Sequence, residues 1–202
     1  ELKPYRLSLE RLLRFKTHTL GKKEEQLLAM QGEMAQAAGK AFRQLLDTDL
    51  QFGNVKDENG EQVELSNSTL SQLMISPKRS VRKTAFHQYY EQFEGHKNTL
   101  AATLSGSIQK DVYYARARGY DSALASALHP DNVPQSVYDN LIESVRNHLP
   151  AVHHYYDVRR RKMKIREIHH YDTYVPILSE LNVKHTWKQA VKIIIKSLAP
   201  LG

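Results

Sequence analysis

The chain has 202 residues, 41% of them hydrophobic, which is enough for a globular core and excludes a disordered chain. It contains no cysteine, which excludes disulfides and thiolate metal sites in these residues and fits a reducing cytoplasm, the location we expect. No secretory leader and no apolar run of about 18 residues is visible, so we expect no membrane partner. The excess of 29 basic over 22 acidic side chains permits nucleic-acid binding, but a solvated basic surface is the favoured interpretation.

Helical periodicity dominates the N-terminal part of the chain. One helix is predicted from Pro4 to Leu20, because proline suits a first turn and leucines follow at helical spacing. A second is predicted from Lys23 to Asp47, where apolar residues recur at three- and four-residue steps. Glu24 and Glu25 lie in its first turn, where they complement the helix dipole.

Residues 51–65 break this pattern and predict a β-hairpin. Glu58, Asn59 and Gly60 suit a three-residue loop in which the glycine is left-handed. This loop places Val55 opposite Val63, whereas a two-residue Asn-Gly loop would pair valines with charged side chains. We therefore predict the three-residue loop.

Long helices follow the hairpin. Ser66 or Ser68 is expected to cap a short helix, and Ser76 to cap a long one with Pro77 at its first position. Gly95 interrupts that stretch, so one kinked helix or two helices both fit.

Three further helices are predicted: one capped by Asp121, one opened by Pro134 and one capped by Thr186. Pro150 is expected to kink the second of them, and Trp187 to face inward on the third. The predicted fold class is mainly α: an antiparallel array of long helices with one small β-hairpin at about residues 51–65.

The most unusual segment is the run from His169 to Pro176, with sequence HHYDTYVP, which we call the candidate segment. Proline cannot lie inside a helix, and it favours extended geometry at Val175. Such a concentration of aromatic and imidazole rings beside a carboxylate indicates that the segment lines a functional surface. The residues alone do not say which surface.

Complete catalytic sets are absent from the sequence. No histidine is followed by glutamate, so the His-Glu-x-x-His zinc motif is missing, as are nucleotide loops and a serine elbow. The basic cluster Arg159–Lys162 could bind phosphates, but it ends a predicted helix, where the dipole favours positive charge. The structural interpretation of this cluster is favoured.

Several segments, in this order and spacing, resemble the oligoendopeptidase F family of zinc metallopeptidases related to thimet oligopeptidase. The matching stretches are PYR at 4–6, RFKTHTL at 14–20, EEQLL at 24–28, the hairpin at 52–65, YDSAL at 120–124, VYDNLI at 137–142, YDTYVP at 171–176 and APLG at 199–202. The resemblance covers nearly the whole chain but lacks the family's metal motif. It implies the N-terminal, non-metal portion of such an enzyme, an expectation in keeping with a chain that begins at Glu1 and stops at Gly202 where helical periodicity ends.

The resemblance implies that the parent protein hydrolyses oligopeptides with a zinc ion held by the missing C-terminal catalytic portion. There the metal would lower the pKa of its water, and the motif glutamate would accept the proton. Residues 1–75 would form an N-terminal lobe of helical hairpin and β-hairpin. Residues 76–202 would form a long-helix portion that supplies one wall of the substrate channel and is continuous with the first lobe. This chain alone would hold no metal and be inactive.

The substrate-channel candidates are Tyr171, Asp172 and Tyr174, which would contact substrate or orient the channel wall. The alternative is that Asp172 pins the loop while the tyrosines pack. His169 and His170 have no family role that can be transferred. A second hypothesis is a non-enzymatic basic helical module that binds nucleic acid or a protein partner. We do not favour nucleic acid as a partner.

Overall fold

The computed structural model describes residues 3–178 and 184–201, and this part of the chain is mainly helical with one two-stranded sheet, which confirms the predicted fold class. The helices are α1 (Arg6–Arg14), α2 (Lys22–Met30), α3 (Gly32–Ala35), α4 (Ala37–Gln44), α5 (Asn67–Leu73), α6 (Arg79–Gly95), α7 (Lys97–Ala117), α8 (Ala123–Leu128), α9 (Gln135–Lys162) and α10 (Trp187–Ser197). The strands are β1 (Asn54–Lys56) and β2 (Gln62–Glu64). Short 3-10 turns occupy Lys3–Tyr5, Phe15–His18, His170–Asp172 and Ala199–Leu201, and a π-helical turn occupies Leu45–Asp49.

The hairpin has the predicted register. Val55 pairs with Val63, and the Leu65 amide donates to the Gly53 carbonyl at 2.8 Å. The loop closes through a 2.9 Å hydrogen bond from the Asp57 amide to the Glu61 carbonyl, and Gly60 has φ of +90°. This conformation is left-handed, so the glycine is needed there.

The main core lies beneath the hairpin, where α5, α6 and the end of α4 meet. Phe52 stacks on Tyr89 with ring centroids 4.4 Å apart, and Ala85 is a fully buried member of the same core. The other members of this core are Leu45, Leu50, Val55, Leu65, Leu73 and Val81. α4 also packs on α7, where a Cβ at Gly106 would come within 3.0 Å of the Ala38 Cβ.

The N-terminal helices differ from the prediction. The helix predicted from Lys23 to Asp47 is divided into α2, α3 and α4, because Gln31 and Gln36 have ψ of −7° and make 3-10 hydrogen bonds. The helix predicted from Pro4 to Leu20 is α-helical only over α1. Periodicity identified the helical segments correctly but could not locate these local changes in winding.

The helix caps are partly as predicted. Ser66 caps α5 in a reciprocal arrangement with Thr69, and Thr186 caps α10. The stretch after Ser76 consists of two helices, α6 and α7, which divide at Gly95. Of the two alternatives, one kinked helix or two helices, the second is therefore correct. α6 begins at Arg79, because Ser76 is buried and its hydroxyl instead donates to Glu58 at 3.0 Å.

Two other details of the prediction are wrong. α8 is capped by Ser122 rather than by Asp121, since the serine side chain accepts from the Ala125 amide at 2.9 Å. Trp187 does not face inward among the described residues, where its side chain is 83% exposed. Pro150, where a kink was predicted, does not divide α9, which is helical on both sides of the proline.

Candidate functional site

The candidate segment follows α9 and folds back against α6. His170–Asp172 forms a single 3-10 turn in which the Asp172 amide donates to the His169 carbonyl at 2.8 Å. In return, the Asp172 carboxylate accepts the His169 amide at 3.0 Å. This local closure determines the direction in which the segment leaves the helix.

Asp172 is the most deeply placed charge in the segment, with no exposed surface. Arg79 Nε donates to its Oδ1 at 3.0 Å, and Arg79 Nη2 donates to its Oδ2 at 2.9 Å. Arg82 Nη2 donates to Oδ1 at 2.9 Å, and the Arg82 residue is only 2% exposed. The carboxylate is therefore held by two arginines one helical turn apart on α6.

Arginines also hold the backbone of the segment. Arg82 Nε donates to the Tyr171 carbonyl at 2.9 Å, and Arg82 Nη1 donates to the Ser76 carbonyl at 2.7 Å. From α9, Arg159 Nη2 donates to the carbonyls of Asp172 and Val175, at 3.1 and 2.5 Å. The segment is thus attached to α6 through the Asp172 carboxylate and the Tyr171 carbonyl, and to α9 through two further backbone carbonyls.

These contacts determine the charge of Asp172. Burial by itself would raise the pKa of its carboxyl group, but hydrogen bonds from Arg79, the His169 amide and Arg82 outweigh burial and hold the pKa below its usual range. The hydrogen bonds that Arg79 donates to the Asp172 carboxylate raise the pKa of Arg79. Asp172 is consequently an anion at neutral pH and not a proton donor.

The three channel candidates have different environments. Tyr171 is 3% exposed and stacks on His169 with ring centroids 5.1 Å apart. Asp172 is buried as described above. Tyr174 is 57% exposed, so it is the one member of the three whose side chain is open to a ligand.

Tyr174 stands at the edge of a small aromatic cavity of about 150 Å³. The cavity is lined by Leu70, Ser71, Met74, Phe86, Tyr90, His170 and Tyr174. Phe86 lies 5.4 Å from the His170 ring and 4.5 Å from the Tyr90 ring, centroid to centroid. A larger hollow of about 730 Å³ lies beside the hairpin, but it is lined by residues such as Leu46, Phe52 and Asn67 and not by the candidate segment. The aromatic cavity is therefore the concave surface that the segment itself offers.

The basic cluster at the end of α9 is engaged within the chain. Arg159 is 5% exposed, and Arg160 and Arg161 pair with Asp157 at 2.7 and 3.0 Å. This geometry does not favour a phosphate-binding surface, because Arg159, the buried arginine of the cluster, has no access to a ligand.

Sequence analysis missed Arg79 and Arg82 and did not recognise what Arg159 binds. A signal was present for Arg82, which lies three residues before Ala85 and seven before Tyr89 on the apolar face of α6. A charged residue on a buried face requires a partner of opposite charge. The identity of that partner could not be read from local spacing.

Metal ligands do not gather in this part of the protein. Over residues 3–178 and 184–201, no group of three His, Asp or Glu side chains could hold a metal ion. The zinc ion implied by the resemblance therefore has no matching site in the described residues. In the same ranges, every helix is too short or too polar to cross a lipid bilayer.

Comparison with known proteins gives consistent matches along the chain. The model for peptidase family M3 matches residues 72–198, and the model for oligopeptidase F matches residues 1–52. Oligopeptidase PepF of Bacillus subtilis is 37% identical over all 202 residues, which are 100% of this chain and 30% of that protein.

Solved structures agree with the sequence matches. A structure from Chlamydophila abortus has a TM-score of 0.91 at 36% identity, and it matches 100% of this chain and 33% of its own. Oligoendopeptidase-F from Enterococcus faecium has a TM-score of 0.87 at 34% identity, over 100% of this chain and 38% of its own. The chain thus spans about a third of the length of these relatives. The resemblance read from the sequence is confirmed, and the chain belongs to peptidase family M3, among the relatives of oligoendopeptidase F.

Proposed function

We propose that this chain is part of a zinc-dependent oligoendopeptidase that hydrolyses short peptides in the cytoplasm. The observation that carries the proposal is the match of the entire chain to oligoendopeptidase F proteins at 31–37% identity. Because the chain spans about a third of their length and offers no cluster of metal ligands in the described residues, the zinc site is assigned to the remaining portion of the protein.

The role of this chain in the proposal is to supply part of the channel wall. Tyr174 would contact substrate, since it is exposed at the edge of an aromatic cavity. Asp172 would act as a positioning residue, because it is buried and holds the segment through Arg79 and Arg82. Tyr171 would support the wall by packing on its inner side.

Activity is tested on the full-length protein with internally quenched oligopeptides. We expect cleavage of short peptides, loss of cleavage on removal of metal by a chelator, and recovery on addition of zinc. If the zinc-loaded full-length protein leaves every short peptide intact, the proposed activity is wrong.

The wall assignment is tested separately by Tyr174→Ala. We expect kcat/KM to fall about 10-fold, equivalent to ~1.4 kcal/mol of lost binding, with most of the change in KM. Tyr113→Ala serves as the matched control, because Tyr113 is a 45% exposed tyrosine on α7 and is not part of the candidate segment. Equal effects of the two substitutions would contradict a substrate contact at Tyr174.

A further inference from the structure

α9 carries an apolar surface that the described residues leave open. We call it the α9 stripe; its members are Val137, Leu141, Val145, Leu149 and Val152. Their exposed fractions run from 37% for Leu149 to 62% for Leu141. Solvated helices normally turn such residues inward, so this surface calls for a covering partner.

The stripe is a coherent face of the helix. At about 100° per residue, its five members fall within about 120° of one another around the helix axis. They extend along about 22 Å of the helix, at a rise of about 1.5 Å per residue. Asp139, Glu143 and Arg146 fall on the opposite side, as on the solvent face of an amphipathic helix.

The stripe is continuous with the part of α9 that holds the candidate segment. Arg159 falls within about 40° of Val137 around the axis, so it lies on the stripe side of the helix. Its Nη2 binds the carbonyls of Asp172 and Val175. Whatever covers the stripe is therefore placed next to the candidate segment.

We propose that the α9 stripe is a buried contact with the portion of the same protein outside residues 1–202, the portion to which the zinc site is assigned. The argument for this occupant is length: relatives that match the whole chain have about two-thirds of their residues outside it. A second copy of the chain is the competing occupant. The inference rests on the part of the proposed function that places the chain in a longer peptidase, and it sets the covering portion beside Tyr174.

The test is cysteine accessibility in the full-length protein. Val145→Cys places a thiol on the stripe, and Glu143→Cys places the matched control about 160° away on the same helical turn. Residues 1–202 contain no cysteine, so labelling by a maleimide is assigned to the introduced thiol by peptide mass spectrometry. The urea-unfolded protein supplies the reference rate for each variant.

We expect the thiol at position 145 to react about 100-fold more slowly in the native protein than in urea, whereas the thiol at 143 stays within about 10-fold of its reference. This pattern must hold in monomeric protein. Similar rates at the two positions would overturn the proposal. Protection at position 145 that appears only as dimers form would overturn it too, in favour of a second copy.

Hydroxyl-radical footprinting of the unsubstituted full-length protein keeps the test independent of any folding defect. Leu141 and Leu149 should be protected, and His154 on the opposite side should be oxidised. Oxidation of both leucines at solvent-exposed rates would contradict the proposal. Neither measurement uses catalysis, so failure of the peptidase assay and exposure of the stripe remain separate outcomes.

Discussion

Replacing Asp172 by Asn tests whether the buried arginines hold the candidate segment in place. Asp172 has no exposed surface and Arg82 is 2% exposed, so the substitution leaves the Arg82 guanidinium in a dry site without its counter-charge. Breaking a buried ion pair in this way costs ~3–5 kcal/mol. Arg79 has a 41% exposed side chain and can recover water, so we expect a loss near the lower limit, about 3 kcal/mol.

Asp157→Asn is the matched control. Its carboxylate also forms ion pairs with two arginines, Arg160 at 2.7 Å and Arg161 at 3.0 Å, but the Asp157 side chain is 43% exposed. Surface pairs of this kind contribute about 0–1 kcal/mol. The two variants therefore differ mainly in burial of the ion pair.

Urea unfolding of the full-length protein, followed by circular dichroism, measures the loss in each variant. Hydrogen exchange adds a local readout, since the His169 amide donates to the Asp172 carboxylate at 3.0 Å. Exchange in residues 169–175 should accelerate in the Asp172 variant and stay unchanged in the control. Equal unfolding midpoints and equal exchange in the two variants would refute the reasoning from burial.

Four further predictions concern pH, the hairpin, a helix cap and a partly buried ion pair. Because the pKa of Asp172 is depressed in the folded state, its stabilisation is complete above its unfolded pKa of about 3.9 and is lost as pH falls through the folded value; acid urea titrations should show the wild-type advantage over Asp172→Asn shrinking below about pH 4. Gly60→Ala should cost about 1–2 kcal/mol in urea unfolding, because φ is +90° there, and an unchanged midpoint would contradict this. Ser66→Ala should cost ~1 kcal/mol in the same assay by removing the α5 cap, whereas Ser68→Ala should have little effect. The hydrogen bond from Arg118 lowers the pKa of Glu25 to about 2, so an NMR titration should show this value returning toward 4.5 in Arg118→Met and staying low if Arg118 is not its partner.

Local features of the fold could be predicted from the amino-acid pattern. The hairpin register follows from Gly60 and from the alternation of Val55 and Val63 with polar residues. A serine cap on α5 could be predicted as Ser66 or Ser68, and Ser66 is the residue that caps the helix. These features depend on residues within a few positions of one another, where backbone geometry leaves few choices.

The breaks in the second predicted helix show where pattern reasoning ends. Gln31 and Gln36 carry no sequence signal that distinguishes them from neighbours that remain α-helical, yet they divide the segment into α2, α3 and α4. The inward-facing side of α10 was also predicted wrongly, because Trp187 is exposed among the described residues. Periodicity states which side chains share a face, but burial of the face depends on what packs against it.

The candidate segment illustrates the same division. Its composition marked it as a special loop, and the sequence left open whether Asp172 pins the loop or serves a ligand. Only the tertiary structure decided that Asp172 is buried between arginines that lie 90 and 93 residues earlier, and that Tyr174 is exposed. The physical reason is that local backbone preferences act over one or two turns, whereas the partner of a buried charge is chosen by how distant helices pack.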